Sequence, residues 1–380
     1  MKIYNTYTEK KEKLDTKNIT IYVCGITPDG PTHLGHAFLF VTYDTLVRYL
    51  KFMGLKVTYV QNVTDIDDDI LIRSKAAGLS WKQMGEMQTK KHLQSMDLLN
   101  VMRPDFYPKA TENIDEMIKL IKKLIENKFA YVKNNNVFFS AARDKKFGKL
   151  SKYGYRAMLE IANERGNFPL DPNKKDPLDF VLWQSQKPNE PFWDSPWGKG
   201  RPGWHIEYSA MSLKYLSSPI TIHGGGADLI FPHHEAEIAQ SENSTGKKFV
   251  QIWMHTAMLF YEDKKMSKSL GNVVYIADLL KNYDANIIRI LLLSHHYREA
   301  WNFEEKEFNK AKKTVGLLIN NAKQSSLNYK ELKKLIPDFF KHLDDDFNTP
   351  LAVEYLTKIA SDQKNPEALY QAIKILGLKL

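Results

Sequence analysis

Two short motifs carry side chains that could bind the phosphates of a nucleotide. One reads His-Leu-Gly-His and begins at His33, and the other reads Lys-Met-Ser-Lys-Ser and begins at Lys265. His33 and His36 can donate hydrogen bonds to phosphate oxygens, and Gly35 would let a nucleotide approach the backbone closely. Lys265 and Lys268 would neutralise the charge that develops on a triphosphate during nucleotidyl transfer. The two motifs therefore predict an ATP site in which the two histidines and two lysines are the catalytic residues.

A glycine run supplies a third candidate contact with a nucleotide. It follows residues 218–223, whose β-branched pattern predicts a strand. At Gly224 and Gly225 the bare backbone would let adenine or ribose lie against the chain, and Asp228 could bind ribose hydroxyls.

The His-Leu-Gly-His motif lies where a strand gives way to a helix. Residues 19–24 predict a buried strand, and a turn rich in glycine and proline follows them. Thr32 can cap a helix that runs from the motif to Gly54, and residues 56–61 predict the next strand. This order predicts a parallel strand pair with a crossover helix, the opening unit of a Rossmann-like doubly wound sheet. An anion site is favoured there because helix N-termini attract anions.

Composition limits the classes of protein to consider. The chain has 380 residues, 43% hydrophobic and 26% charged, as in a globular protein with a substantial core. We predict a cytoplasmic protein without a membrane segment, since there is neither a long apolar run nor a signal-like N-terminus. The net charge of +9 suits a nucleic acid, although a lysine-rich composition alone gives the same charge. The single cysteine, Cys24, excludes an internal disulfide and a multi-cysteine zinc module.

Longer stretches resemble one family, the class I aminoacyl-tRNA synthetases of the cysteinyl type. The resemblance covers nearly the whole chain in the stretches YVCGIT (22–27), HLGH (33–36), NVTDIDD (62–68), DPLDFVLWQ (176–184), SPWGKGRPGWHIE (195–207), HGGGADLIFPHHEAEIAQ (223–240), KMSKSLGN (265–272) and DDDFNTP (344–350). Local features, among them ERGNFP at 164–169, also resemble the related cysteine ligase of the mycothiol pathway.

The resemblance implies a zinc ion that binds the thiol of the substrate. Its ligands would be Cys24, His233 and Glu237, with Tyr208 at a fourth position where the family normally has a second cysteine. A catalytic zinc commonly has three protein ligands and one open position, which the substrate thiolate could fill. Two alternatives remain open. The phenol oxygen of Tyr208 could be a ligand, or the metal could be lost and the amino-acid specificity changed.

The resemblance also implies a reaction. The carboxylate of L-cysteine would attack the α-phosphorus of ATP, accompanied by Mg²⁺, to give cysteinyl-adenylate and pyrophosphate, and the cysteinyl group would pass to tRNA(Cys). Thr27 and Thr64 would contact the amino acid or the adenylate, and Trp204 would form the floor of the cysteine pocket. We expect a monomer. The alternatives are an amino-sugar acceptor (glucosaminyl-inositol), a catalytically weak paralogue that binds tRNA or nucleotide as a regulator, and a nucleotidyltransferase acting on a small molecule.

The predicted fold is an α/β Rossmann-like doubly wound parallel sheet with a central insertion and a C-terminal helical bundle. Residues 81–100 and 111–128 predict helices, 129–140 a hairpin, and 150–200 an irregular stretch. The predicted parts are a first half of the catalytic domain (1–100), an insertion or connective region (101–200), a second half of the catalytic domain (201–255), the Lys-Met-Ser-Lys-Ser loop with a stem-contact region (256–300), and a bundle like those that bind tRNA (301–380), with no further C-terminal domain.

Overall fold

A computed structural model describes residues 1–266 and 271–380, with Lys265 described by its backbone alone. The strands are β1 (Lys2–Asn5), β2 (Lys10–Lys13), β3 (Asn18–Ile26), β4 (Lys56–Val63), β5 (Ala130–Lys133), β6 (Asn136–Phe139), β7 (Phe180–Ser185), β8 (Gly200–Pro202), β9 (Ile220–Gly226), β10 (Val250–Thr256), β11 (Leu259–Tyr261), β12 (Lys264–Lys265) and β13 (Trp301–Phe303). The helices are α1 (Leu34–Phe52), α2 (Asp68–Ala76), α3 (Trp81–Leu98), α4 (Ile114–Glu126), α5 (Tyr155–Glu164), α6 (Trp204–Tyr215), α7 (Glu235–Thr245), α8 (Ile276–Asn282), α9 (Ala285–Leu293), α10 (Glu307–Asn320), α11 (Tyr329–Leu335), α12 (Pro337–Asp344), α13 (Thr349–Ser361) and α14 (Pro366–Ile375).

The central sheet is parallel throughout and has the strand order β10-β9-β3-β4. Its strands are rich in β-branched and aromatic residues and are buried along most of their length, as strands covered on both faces must be. The predicted α/β class with a Rossmann-like parallel sheet is therefore confirmed. Ligands bind such sheets outside the carboxyl ends of the strands, and β3 and β9 lead to that edge with the His-Leu-Gly-His motif and the glycine run.

The unit β3-α1-β4 forms as predicted, but α1 begins one residue later than the capping threonine implies. The residue that caps α1 is His33, not Thr32. The hydroxyl of Thr32 is engaged elsewhere, in a hydrogen bond of 2.9 Å with His92 Nδ1. At the other end, Gly54 follows the helix with φ +82°, a left-handed conformation that glycine adopts without a steric penalty.

The insertion contains an antiparallel sheet of order β5-β6-β7-β8. The predicted hairpin is confirmed, and Asn134 and Asn135 turn the chain between β5 and β6 with φ of +50° and +60°. The prediction of an irregular stretch over residues 150–200 was wrong, because α5 and β7 lie there. Aromatic pairing stabilises β7 in the sheet, since Phe180 stacks on Phe139 with ring centroids 4.8 Å apart.

The C-terminal part is helical as predicted, with α10 to α14 packed together, although β13 precedes them. A buried ion pair lies at its junction with the central sheet. Arg289 on α9 and Asp44 on α1 are both fully buried, and Arg289 Nη2 lies 2.6 Å from Asp44 Oδ2. The guanidinium also donates to the carbonyls of Leu99, at 2.9 Å, and Leu376, at 2.8 Å. One side chain thus ties α9 to α1, to the end of α3 and to the end of α14.

Among the residues that the structure describes, none of the helices combines the length and the hydrophobicity needed to cross a lipid bilayer.

Candidate active site

The two histidines of the His-Leu-Gly-His motif cap the helix that they begin. His33 Nδ1 accepts a hydrogen bond from the backbone N–H of His36 at 3.3 Å, and the backbone N–H of His33 donates to His36 Nδ1 at 3.4 Å. The rings stack with centroids 3.6 Å apart and are half-buried. This arrangement is a capping box made of imidazoles. It holds both rings at the positive end of the α1 dipole, where a phosphate would bind.

The segment that follows the Lys-Met-Ser-Lys-Ser motif pairs with this turn. The N–H of Leu34 donates to the carbonyl of Val274 at 2.8 Å, and the N–H of Ile276 donates to the carbonyl of Thr32 at 3.0 Å. Of the two predicted catalytic lysines, Lys265 lies on β12, and Lys268 lies outside the described residues. These backbone bonds connect the polypeptide leaving the second motif directly to the first.

Close packing accounts for Gly224 and Gly225 on β9. A Cβ at Gly224 would overlap the hydroxyl of Tyr43, which donates a hydrogen bond of 2.6 Å to the carbonyl of Met254. A Cβ at Gly225 would lie 3.0 Å from Cε1 of the His234 ring. Tyr43 leaves no room for a side chain at Gly224, and the space at Gly225 is tight. The close approach of a nucleotide to these glycines stays a prediction.

We expect Gly224→Ala to lower the stability of the protein by about 1–3 kcal/mol, because the added methyl group overpacks the site against Tyr43. Gly316→Ala on α10 is the matched control. Nothing lies within 4 Å of a Cβ at Gly316, so alanine should raise stability by about 0.8–1 kcal/mol through helix propensity. The check is the thermal unfolding midpoint of each variant, and a Gly224→Ala protein that melts with the parent would contradict the packing argument.

Asp228, the predicted ribose contact, lies just beyond β9 and is partly exposed. Arg165 Nη1 lies 3.6 Å from Asp228 Oδ2. Arg165 belongs to the ERGNFP stretch of the insertion, so the structure brings that stretch to the end of the glycine run.

A buried cluster of one thiol, three imidazoles and one carboxylate lies at the end of β3. Cys24 Sγ lies 3.1 Å from His234 Nε2 and 3.9 Å from Glu237 Oε1. His233 Nε2 lies 3.2 Å from Glu237 Oε1, and His223 Nε2 lies 2.9 Å from Glu237 Oε2. The exposed fraction is 2% for Cys24 and 0% for the other four residues. The structure therefore brings together the three predicted metal ligands, and two further histidines join them.

Hydrogen bonds to the Nδ1 atoms of His233 and His234 orient their rings. Nδ1 of His233 lies 2.9 Å from Nδ1 of His205. His234 Nδ1 lies 2.7 Å from His255 Nε2, and His255 Nδ1 lies 2.7 Å from the hydroxyl of Thr6. Such bonds fix the ring orientation of histidines that bind metals.

The surroundings keep the imidazoles of the cluster neutral. Burial lowers the pKa of His233 to about 4 and that of His223 to about 3. Burial, followed by the negative charge of Glu237, raises the pKa of the Cys24 thiol well above its ordinary value. Burial also raises the pKa of Glu237, an effect opposed by the hydrogen bond with His233. Neutral imidazoles offer lone pairs, and a bound cation would reverse the penalty on the thiolate and the carboxylate.

The donor set fits a zinc ion. Two trios have their ligand atoms within 4.8 Å of one another: Cys24, His233 and Glu237, and Cys24, His223 and His234. His223 Nδ1 is buried and has no hydrogen-bond partner within residues 1–266 and 271–380. Thiolate, imidazole and carboxylate are the ligands that catalytic zinc takes in proteins. The predicted trio is one of the two that the His, Cys, Asp and Glu side chains of the described residues form.

The other predicted substrate contacts surround this cluster. The Trp204 ring at the start of α6 lies 4.3 Å from the His233 ring, centroid to centroid. Thr64 follows β4, is fully buried, and donates a hydrogen bond of 2.8 Å from its hydroxyl to that of Tyr208. Thr27 lies half-buried in the turn after β3, between the cluster and the His-Leu-Gly-His turn along the chain. Burial raises the pKa of the Tyr208 phenol.

Sequence reasoning did not single out His223, His234 and His255 as part of the site. His223 and His255 lie on the neighbouring parallel strands β9 and β10, near the carboxyl ends at which such sheets bind ligands. His234 directly follows the predicted ligand His233. A search for histidines at strand ends and for a histidine doublet would have found all three.

Comparison with known proteins agrees with this geometry. Residues 10–313 match the family described as tRNA synthetases class I (C) catalytic domain. A methionyl-tRNA synthetase of Mycobacterium tuberculosis, solved in complex with methionyl-adenylate, has the same fold with a TM-score of 0.67 and 14% identity. That alignment covers 95% of this chain and 90% of the other. The fold and the two motifs at its strand ends thus define the catalytic architecture of a class I aminoacyl-tRNA synthetase.

Two curated relatives narrow the assignment. A cysteine–tRNA ligase of Thermodesulfovibrio yellowstonii is 44% identical over 379 residues, covering 94% of this chain and 77% of the relative. A cysteine–tRNA ligase of Hydrogenovibrio crunogenus is also 44% identical, covering 96% of this chain and 81% of the relative. The chain belongs to the cysteinyl-tRNA synthetase family. These matches do not favour the amino-sugar ligase or the regulatory paralogue.

Proposed function

We propose that this protein activates L-cysteine with ATP and transfers the cysteinyl group to tRNA(Cys). The observation that carries the proposal is the 44% identity to cysteine–tRNA ligases over at least 94% of the chain. The geometry supports it, because β3 supplies Cys24 and leads directly into the turn that carries the two stacked histidines. A thiol-binding cluster and a phosphate-binding helix end thus follow each other on a single strand-turn-helix unit.

The residues around the helix end bind and orient ATP. At the N-terminus of α1, His33 and His36 donate hydrogen bonds to the phosphates of ATP. Lys265 and Lys268 neutralise the negative charge of the triphosphate, together with Mg²⁺. In-line attack by the carboxylate of cysteine on the α-phosphorus forms the acyl–phosphate bond. The bond from that phosphorus to the bridging oxygen breaks, and pyrophosphate leaves.

The cluster around Cys24 selects and orients the amino acid. Cys24, His233 and Glu237 would hold zinc, which when bound supplies a borderline-soft Lewis acid that takes a thiolate in preference to a hydroxyl. Trp204 lies against His233 and forms an aromatic wall of the pocket, while Thr64 places a hydroxyl beside it. The site is almost completely closed to water, which strengthens every polar contact inside it.

The acceptor in this proposal is a polyanion, and the bundle has a basic surface that suits one. Lys310, Lys312 and Lys313 on α10 are exposed, and so are Lys330 and Lys334 on α11. Phosphate contacts by such lysines give affinity that falls as salt concentration rises. The cytoplasmic location and the monomeric state remain predictions.

The test of the proposed function is amino-acid-dependent exchange between ATP and pyrophosphate, followed by charging of total tRNA. We expect exchange with cysteine, no comparable exchange with serine, and cysteine-dependent charging that identifies tRNA(Cys) as the acceptor. Exchange with cysteine but transfer only to glucosaminyl-inositol would overturn the choice of acceptor. Absence of exchange with every amino acid would overturn the activity itself.

We expect His36→Ala to lower kcat/KM for ATP in the exchange reaction roughly tenfold to a hundredfold, because a hydrogen bond to a charged group contributes about 1.5–3 kcal/mol. His342→Ala on α12 is the matched control and should leave exchange unchanged. The thermal midpoint of each variant, measured alongside, separates a loss of phosphate binding from a loss of the helix cap. An unchanged kcat/KM for ATP in a folded His36→Ala protein would remove His36 from the phosphate site.

A further inference from the structure

Tyr208 lies against the buried cluster around Cys24, at the position where the family resemblance implies a second cysteine. It follows Trp204 by one helical turn on α6 and is 2% exposed. Its ring meets the His233 ring edge-on, with centroids 4.2 Å apart and an interplanar angle of 86°. The side chain thus fills the space beside a predicted metal ligand.

The hydroxyl of Tyr208 is bound to a different partner. Thr64 donates a hydrogen bond of 2.8 Å to it, and Thr64 in turn accepts one of 3.3 Å from the side-chain amide of Asn62. This chain of bonds runs from β4 to α6 and directs the phenol oxygen toward the end of β4. Tyr208 contacts His233 through its ring.

We infer that Tyr208 is not a metal ligand and that Cys24 is the only protein thiolate in the metal site of this chain. The Tyr208 hydroxyl is already engaged by Thr64, and Cys24 is the single cysteine of the chain. The protein therefore supplies one thiolate to the metal, whichever imidazoles complete the coordination sphere. Tyr208 acts instead as a positioning residue that holds the Thr64 hydroxyl beside the pocket.

This inference rests on the proposed function, in which the substrate is L-cysteine and its thiol supplies the second thiolate to the metal. A site with one protein thiolate is harder than a site with two, so it holds a soft metal less firmly. The thiol of bound cysteine would contribute a larger share of the sulfur coordination than in a two-cysteine site. Loading with cysteine should therefore protect the metal from chelators.

The test uses the 380-residue chain with Co²⁺ in place of zinc, since sulfur-to-cobalt charge-transfer absorption increases with each bound thiolate. We expect the parent protein to give the intensity of one thiolate, and added cysteine, but not serine, to raise it to that of two. Tyr208→Phe removes only the hydroxyl, so its metal content and spectrum should match those of the parent. Tyr208→Cys should roughly double the intensity before cysteine is added and slow metal removal by a chelator.

Each outcome decides one part of the inference. Loss of metal or a changed spectrum in Tyr208→Phe would make the phenol a ligand and overturn the inference. An unchanged spectrum in folded Tyr208→Cys would show that position 208 does not reach the metal, which agrees with a tyrosine that is not a ligand. The spectra of the parent and its variants without substrate do not depend on catalysis. A parent protein with the one-thiolate spectrum but without cysteine-dependent exchange would therefore contradict the proposed function alone.

If Tyr208 is a positioning residue, its substitution should change the binding of cysteine without changing the binding of metal. Tyr208→Phe should raise KM for cysteine severalfold through the loss of one hydrogen bond to Thr64, while KM for ATP and metal content stay at the parent values. A Tyr208→Phe protein with unchanged KM for cysteine would leave Tyr208 as packing and contradict the positioning role.

Discussion

Replacing Cys24 with serine is expected to remove bound zinc and to lower cysteine-dependent exchange by at least about 100-fold. Loss of a residue that merely orients a metal ligand typically lowers affinity or activity by about 10- to 100-fold, so loss of the ligand itself should exceed that range. Cys24 is the single cysteine of the chain and belongs to both possible ligand trios. The remaining protein donors are then nitrogen and oxygen, which bind a soft metal less well.

The same substitution should also weaken the choice between cysteine and serine. The measurements are zinc content by metal analysis and the ratio of kcat/KM for the two amino acids. Tyr208→Phe, a change inside the same pocket that leaves the thiol in place, is the control for zinc content. A folded Cys24→Ser protein that keeps about one zinc per chain would falsify the assignment of Cys24 as a ligand.

The largest expected effect on stability comes from Arg289. Arg289→Met leaves the fully buried carboxylate of Asp44 without its closest cation, and breaking a buried pair in this way destabilises a protein by about 3–5 kcal/mol. Arg48 cannot replace it, since Arg48 already contacts Asp44 at 3.0 Å from the edge of the site. The carbonyls of Leu99 and Leu376 also lose their donor. The expected result is a lower thermal and urea midpoint, read by circular dichroism.

Two further variants distinguish the effect of losing the ion pair on stability from the effect of losing side-chain volume at Arg289. Arg48→Met removes a partly exposed arginine from the same carboxylate and should destabilise less. The double variant Asp44→Asn with Arg289→Met should be less destabilised than the sum of its two single changes, because neither fully buried charge of the pair remains. Midpoints of Arg289→Met within a degree or so of the parent would show that the pair contributes little to stability.

The sequence predicted the order of elements well where local pattern decides it. The run of β-branched residues before the glycine-rich turn specified β3, and the apolar helix after it specified α1. It misplaced the cap because threonine is a common capping residue and histidine is not, whereas in the structure the Thr32 hydroxyl bonds with His92 from α3. The local sequence around Thr32 does not indicate that its partner lies 60 residues away.

The same reason limits what could be predicted of the site. The trio Cys24, His233 and Glu237 came from family resemblance, and the structure places these residues together. The contact between Thr64 and Tyr208 joins residues 144 positions apart, and only the packing of α6 beside β4 creates it. The position of His255 depends on the register between β9 and β10, in which it lies opposite Gly225. Strand register across a parallel sheet is a tertiary property that the sequence of either strand alone does not contain.

The reciprocal bonds between His33 and His36 have a consequence for anion selectivity. A helix end with free N–H groups attracts any small anion, whereas here the N–H of His36 already has an imidazole as acceptor. An incoming anion must displace that acceptor, so only a ligand that gains several contacts elsewhere recovers the loss. Inorganic phosphate would gain few such contacts, and a nucleotide would gain many. If ATP binds here as proposed, the hydrogen bonds between His33 and His36 would disfavour free phosphate as a competitor.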